Sequence, residues 1–252
     1  MHITEQAQYC AQLIQNAKHI AVLSGAGTST SAGIPDFRGP HGIYRRADVD
    51  AEKLFDIGYF RINPSYYYRF HRECVKMLAS IEPTFTHKFL ARLEADGKLD
   101  GIVTQNFDGL HEASGSKVVY QIHGTIRHAY CTKCGRHYGY DAVNKKLETE
   151  DTPHCECGGV IKPDIVFFGE SVKYLPECQD LCEKADLMFV LGSSLNVYPA
   201  ALLPQMCRGK IVVVNKGAVS PYYLPADRIA LRVEEDLDTF FKQVSELIYP
   251  TA

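Results

Sequence analysis

Apolar and polar positions alternate along the chain in two distinct rhythms. Ile3, Ala7, Cys10, Ala11, Ile14 and Ala17 recur at helical spacing, so the first segment is predicted to be a helix with one buried face. Short β-rich runs follow at 20–24, 101–104, 118–122, 165–168, 187–191, 211–214 and 229–233. Several are continuous rather than alternating, the pattern of strands covered on both faces. Phe89, Leu90 and Leu93 mark a helix between two of these runs. Leu237, Phe240, Phe241, Val244, Leu247 and Ile248 form an amphipathic helix expected to pack back on the sheet. Strand and helix taking turns in this way predict an α/β fold with a parallel, doubly wound sheet.

Two stretches break the rhythm. Residues from about 38 to 85 are rich in Tyr and Arg and read as loop and helix. Residues from about 127 to 161 hold four clustered cysteines and little apolar content. Both read as insertions that together build a smaller helical and zinc-binding domain. The nucleotide-binding part is then left to about 1–37, 86–126 and 162–252, within one catalytic unit of 252 residues.

Charge and composition narrow the function classes. The formal net charge is −3 and no block of like charges occurs, so the basic stripe of a nucleic-acid binder is missing. No apolar run approaches the ~18 residues of a membrane span. The opening Met-His-Ile-Thr-Glu-Gln lacks the basic and apolar regions of a secretory signal. A cytoplasmic protein without membrane or nucleic-acid partners, monomeric by default, is expected. Nine cysteines in such a chain argue for metal rather than disulfides. Cys131 and Cys134, then Cys155 and Cys157, supply two close pairs, the donor set of a closed and therefore structural zinc site. The second pair is one residue shorter than the commoner spacing, and His154 beside it is an alternative ligand. From 131 to 162 five Lys/Arg face five Asp/Glu, which favours a staple over a nucleic-acid-binding ribbon.

The first predicted strand runs into Gly25-Ala26-Gly27-Thr28-Ser29. Glycines after a strand let the backbone approach a pyrophosphate, with the next helix N-terminus supplying N–H donors. The dehydrogenase fingerprint fails, because its third glycine falls on Thr30 and its acidic residue has no second strand to sit on. An acid, an aromatic and a base follow instead, in Asp36-Phe37-Arg38. A dinucleotide is expected, held differently from a hydride carrier. Other predicted strands end in Gln105-Asn106-Phe107-Asp108, His123-Gly124, Gly192-Ser193-Ser194 and Asn215-Lys216-Gly217. In an open α/β sheet such ends converge on one crevice. His123, with an intrinsic pKa near working pH, is the candidate general base there.

In this order the motifs resemble those of the sirtuin family over nearly the whole chain. The likeness includes Gly33-Ile34-Pro35-Asp36-Phe37-Arg38, Thr104–His111 as Thr-Gln-Asn-Phe-Asp-Gly-Leu-His, and Lys162–Glu170 as Lys-Pro-Asp-Ile-Val-Phe-Phe-Gly-Glu. It continues in Leu191-Gly192-Ser193-Ser194-Leu195 with Pro199-Ala200. The resemblance implies a Rossmann-like fold and NAD as a co-substrate. It implies that the acyl oxygen of a substrate lysine displaces nicotinamide, and that His123 then deprotonates a ribose hydroxyl. Asn106 and Asp108 would orient ribose and carboxamide, with Gln105 at the ribose side. Asp36 and Arg38 would belong to a loop closing over NAD, and Phe37 would shield the reactive face. Val166 and Phe168 would wall the acyl-lysine tunnel, and Gly169-Glu170 would offer a strand edge to the substrate backbone.

Within the family likeness a deacetylase is favoured. Relatives specialised for succinyl or malonyl lysine share a Tyr-x-x-Arg pair, and registering on Asn63-Pro64-Ser65 puts His71 and Cys74 there. A one-turn shift brings in Tyr68 or Arg72, keeping a desuccinylase or broader deacylase as the alternative. An ADP-ribosyltransferase, an NAD-dependent dehydrogenase and a zinc-ribbon nucleic-acid module are the more distant readings.

Overall fold

The protein is described by a computed structural model for residues 2–37, 39 and 42–250. In chain order its strands are β1 (Ile20–Ser24), β2 (Leu99–Thr104), β3 (Val119–Gln121), β4 (Gly124–Cys131), β5 (His137–Gly139), β6 (Ile161–Ile165), β7 (Leu187–Leu191), β8 (Lys210–Val214) and β9 (Ile229–Val233). Six of them form one sheet in the order β3-β2-β1-β7-β8-β9. Every neighbouring pair in it is parallel. The predicted parallel, doubly wound α/β sheet is therefore present. From β1 the chain winds outward to β3, then returns to β7 on the other side of β1. The crevice between the C-terminal ends of β1 and β7 is the topological switch point, where such sheets bind ligands.

Both faces of this sheet are covered. One carries the helices Ile3–Asn16, Phe85–Ala95 and Leu237–Ile248, packed through Ile14, Leu90, Phe240, Phe241 and Val244. The other carries Leu175–Lys184 and the short turns after β7, packed through Leu181, Leu203 and Val190. Strands β1 and β7 are buried at every residue, which explains their unbroken apolar runs. The last helix deviates at one position: Leu247 lies beyond the covered stripe and is 42% exposed.

A second sheet, β5-β4-β6, is antiparallel. It shares a third apolar core with helix Pro64–Leu78, in which Phe55, Phe60, Tyr67 and Phe70 meet Ile126, Ile161 and Phe167. Two expectations are corrected here. The run at 165–168 is not a strand of the parallel sheet: the strand is 161–165, it pairs with β4, and it stops at Ile165. Gly169 at φ +93 then turns the chain, so Phe167 is buried while Phe168 is 47% exposed. The glycine-rich loop, in turn, leads into two single 3₁₀ turns, Ala26–Thr28 and Thr30–Ala32, rather than a full helix.

Four histidines lie inside this fold: His71, His87, His111 and His123. Burial pushes all four pKa values down, that of His71 to about 4. Each stays neutral in the folded chain but takes up a proton near pH 6.5 once unfolded. Stability is accordingly complete above pH 6.5 and falls as pH drops toward the depressed folded values. Calorimetry is expected to show a thermal midpoint several degrees lower at pH 5 than at pH 7.5. At pH 5 His71 alone contributes a loss on the order of 2 kcal/mol. An unchanged midpoint would contradict the neutral burial of these rings.

Candidate active site and metal centre

The C-terminal strand ends surround a cleft of about 1510 Å³. At its floor the β1 and β7 loops touch backbone to backbone. Gly25 N–H donates to the Leu191 carbonyl and Gly27 N–H to the Gly192 carbonyl, both at 2.9 Å. A Cβ on Gly27 would sit 2.6 Å from Gly192 Cα, and one on Gly192, at φ +56, would sit 2.5 Å from Thr28 N. The glycines are required by this loop-on-loop contact.

Gly25, Ala26 and Gly27 line the cleft, as do Gly192, Ser193 and Ser194 opposite them and Asn215, Lys216 and Gly217 beyond β8. Thr28 and Ser29 are turned inward: the Thr28 hydroxyl donates to the Gly25 carbonyl (2.6 Å) and the Ser29 hydroxyl to Asp108 Oδ2 (2.7 Å). Asp108 also accepts the Leu110 N–H at 2.9 Å, which pins its carboxylate at the start of the next helix. Together with Ser29 it lines a smaller cavity of about 110 Å³ that shares Ala26, Phe37, Asn106 and Phe107 with the cleft.

Asn106 is 6% exposed. Its Nδ2 lies 3.1 Å from the Gly25 carbonyl, 3.0 Å from Thr28 Oγ1 and 3.2 Å from Ser29 Oγ. A carbonyl only accepts, so the amide nitrogen is fixed on that side. Among the described residues Asn106 Oδ1 has no partner, and it remains available to a ligand donor. Gln105 Nε2 donates to Ser193 Oγ at 2.9 Å, joining the β2 and β7 ends.

His123 also lines the cleft. Its Nδ1 lies 3.1 Å from the Gln105 carbonyl, so Nδ1 carries the proton and Nε2 keeps its lone pair. Burial pushes its pKa down, against the smaller opposing effect of the Gln105 hydrogen bond. The result near pH 7 is a neutral imidazole whose basic Nε2 has no partner among the described residues. Its backbone is tied to the neighbouring wall, since Val166 N–H donates to the His123 carbonyl at 2.8 Å.

Val166, Phe168, Gly169 and Glu170 line this wall. They form a turn, closed by Glu170 N–H donating to the Phe167 carbonyl at 3.0 Å, where a strand edge was expected. The backbone of Phe168 is already paired with Phe55 and Ile57. Among the described residues the N–H and C=O of Gly169 and the C=O of Glu170 are unpartnered. Phe37 packs edge-on against Phe55 (5.9 Å) and Phe107 (6.4 Å) beside the cleft. Asp36 lines the cleft and accepts the Gly39 N–H at 3.0 Å. Arg38 lies outside the described residues. Sequence reading missed Glu234, Asp236 and Leu237, which line the far end of the cleft just past β9. The strand-end rule that singled out Asn215 would have found them.

The four cysteines meet in the second sheet. Their sulfurs all lie within 4.8 Å of one another, with Cys131–Cys157 at 3.4 Å and Cys134–Cys155 at 3.6 Å. Zn–S bonds of about 2.3 Å imply a tetrahedral edge of about 3.8 Å, so the spacing fits zinc. Gly135 and Gly158, at φ +72 and +79, turn the two knuckles. A Cβ on Gly159 would reach within 2.6 Å of Cys131 Sγ, so this glycine clears room for the thiolates. His154 is not part of the group; its Nδ1 faces Glu150 at 3.6 Å. The short Cys-x-Cys pair thus still closes a four-sulfur structural zinc site.

A parallel α/β sheet with polar loops at its switch point, stapled by a thiolate metal module, defines a nucleotide-binding enzyme class. The Sir2 family model matches residues 25–199. The chain is 42% identical over 241 residues to the NAD-dependent protein deacetylase of Thermotoga maritima, covering 93% of this chain and 95% of that one. It is 37% identical over 248 residues to that of Sulfolobus acidocaldarius, covering 97% and 96%. Among solved structures, Sir2 with a deacetylated p53 peptide and 3′-O-acetyl ADP ribose superposes with a TM-score of 0.89 at 40% identity, covering 96% and 98%. A Sir2–p53 peptide–NAD⁺ complex gives 0.85 at 39%, covering 95% and 97%. The chain belongs to the Sir2 family.

Elemental analysis of the purified protein is expected to give one zinc per chain, and Cys155→Ala to lose it together with thermal stability. Full zinc content in that variant would contradict the four-sulfur site.

Proposed function

We propose that the protein is an NAD-dependent protein-lysine deacetylase, moving the acetyl group of a substrate lysine to ADP-ribose with release of nicotinamide. The observation that carries this reading is His123: a neutral ring with Nδ1 committed to Gln105 and Nε2 unoccupied, at the junction of the nucleotide loops and the wall at 166–170. The names and bound groups of the similar proteins support the same chemistry.

NAD, when bound, supplies an electrophilic ribose carbon and the hydroxyls that accept the acyl group. In this reading Gly25, Ala26, Gly27, Gly192, Ser193 and Ser194 receive the pyrophosphate, with Thr28 and Ser29 bracing the loop from beneath. Asn215, Lys216 and Gly217 receive the adenosine end, and Glu234 and Asp236 complete it. Asn106 Oδ1 accepts from the carboxamide or ribose, and Asp108 holds Ser29 and the helix behind it. Gln105 fixes the tautomer of His123 while its side chain braces the ribose side. Asp36, Phe37 and Phe107 close over the nicotinamide and keep water from the reactive face. His123 Nε2 takes the proton of the ribose hydroxyl. Val166 and Phe168 wall the acyl-lysine, and Gly169 and Glu170 pair with its backbone.

The domain division follows the same logic, with the nucleotide-binding part at about 1–37, 86–126 and 162–252, and a small domain from 38–85 and 127–161. The scattered buried thiols Cys10, Cys74, Cys178, Cys182 and Cys207 suit a reducing cytoplasm. Among the described residues no helix is long and apolar enough to cross a membrane.

Acetyl is favoured over succinyl because the positions of the Tyr-x-x-Arg pair do not serve the cleft. His71 is buried against the Tyr67 hydroxyl (3.1 Å), and Cys74 lines only the smaller cavity. The shifted register fails too, since Tyr68 donates to the Ile161 carbonyl and Arg72 to the carbonyls of Tyr68, Leu147 and Glu150. A succinyl carboxylate between Val166 and Phe168 would gain no cation from either register of that pair to offset its desolvation.

Wild-type chain and His123→Ala are to be assayed with NAD and acetyl-, propionyl- and succinyl-lysine peptides. The wild type is expected to favour acetyl and propionyl over succinyl by about 100-fold or more. His123→Ala is expected to lose about 10²–10⁴-fold in acetyl turnover while still binding NAD. Undiminished deacylation in the variant would refute the role of His123, and preferred succinyl turnover would refute the acyl assignment.

A further inference from the structure

Lys162 is among the most completely buried polar residues of the chain, at 1% exposure, and the chemistry above makes no use of it. Its Nζ donates to the Ile165 carbonyl at 2.7 Å, the Pro163 carbonyl at 3.3 Å and Glu170 Oε2 at 2.8 Å. An ammonium has three protons, so its donor capacity is matched in full. The aliphatic stem and charge are also enclosed by rings, with Nζ 4.1 Å from the centroid of Phe167 and 5.6 Å from that of Tyr130.

Glu170 completes the arrangement from the other side. The same Oε2 that meets Lys162 accepts the Phe167 N–H at 2.8 Å, while the Tyr130 hydroxyl donates to Oε1 at 3.4 Å. The pair therefore grips the turn at two points: Lys162 holds the Ile165 carbonyl entering it, and Glu170, from its far end, holds the Phe167 amide. Between these anchors lie Val166, tied to the His123 carbonyl, and Gly169 with its unpartnered backbone groups.

We propose that Lys162 and Glu170 are a positioning pair that sets the 166–170 turn against His123, and so governs binding of the acyl-lysine substrate without governing binding of NAD. The inference rests on the functional reading above and deepens it. Glu170 meets substrate through its backbone only, and its carboxylate is turned inward. The pair is charged because three converging oxygens need a cation. A hydrophobic replacement would fill the volume but take this donor from both carbonyls and the counter-ion from the carboxylate. Packing holds the Phe167 ring; Lys162 and Glu170 add polar anchors on the main chain at Ile165 and Phe167, beside the backbone bonds of Val166 and Phe168.

The test is equilibrium binding of an acetyl-lysine peptide, and separately of NAD, to the wild type, Lys162→Met, Glu170→Gln and the double variant. Glu170→Gln keeps an acceptor and the backbone, and the double variant removes both charges. Peptide affinity is expected to fall about tenfold or more in Lys162→Met and in the double variant, less in Glu170→Gln, with NAD affinity held within about twofold. Thermal midpoints separate this from misfolding: the double variant is expected to unfold near the wild type yet still bind peptide poorly. Wild-type peptide affinity in the double variant, or an equal loss of NAD affinity, would overturn the pairing role. A wild-type chain that binds NAD but not acetyl-lysine peptide would overturn both this inference and the deacetylase reading. Binding of peptide by all variants alike would overturn only the former.

Discussion

One hydrogen bond organises the site: the Nδ1–H of His123 to the Gln105 carbonyl, 3.1 Å. The carbonyl belongs to the end of β2 and the imidazole to the connection between β3 and β4, so the bond closes the large sheet onto the small one. It settles the tautomer, because a carbonyl cannot donate, and it leaves the lone pair on Nε2. Burial adds a depressed pKa, which keeps the ring neutral. The next link is backbone: the His123 carbonyl receives Val166 N–H, so the wall at 166–170 inherits its position from the same residue.

That arrangement needs a rigid platform on either side. The parallel sheet supplies one, through strands β1 and β7 whose loops interlock at Gly25, Gly27 and Gly192 with no room for a Cβ on Gly27 or Gly192. The third core supplies the other, joining helix Pro64–Leu78 to the thiolate module through Phe55, Phe60 and Phe167. The zinc site is far from the reaction in role, yet it anchors Cys131 at the end of the strand that begins at Gly124, beside His123. Strand β4 thus runs from the residue after the base to a metal ligand, with Ile126 and Ala129 packed in the third core between them. A short insertion holds its shape by coordination because it has too few apolar residues to do so by burial alone.

Much of the fold was legible because its signal is local. Runs such as 187–191 are apolar at every residue, and that pattern is the direct trace of burial on two faces. His123, Asn106 and Asn215 were legible for a different reason: polar residues after such runs fall at strand ends, where the topology gathers them. What escaped depends on contacts distant in sequence. Phe167 and Phe168 are the same residue type, yet the Gly169 turn buries one and exposes the other. Lys162 counts as an ordinary surface charge until Glu170 and two carbonyls enclose it. The inward hydroxyls of Thr28 and Ser29 likewise follow from Asn106 and Asp108, some 80 residues away.

The central claim is that His123 works as a neutral base presented by Gln105. Nitrogen-15 NMR of the histidine rings, followed through a pH titration with His123→Ala as the assignment control, tests it most directly. The account predicts that His123 carries its proton on Nδ1, with an unprotonated Nε2, and titrates below the ordinary value of about 6.5. A proton resident on Nε2 near pH 7, or a pKa raised above that value, would contradict it.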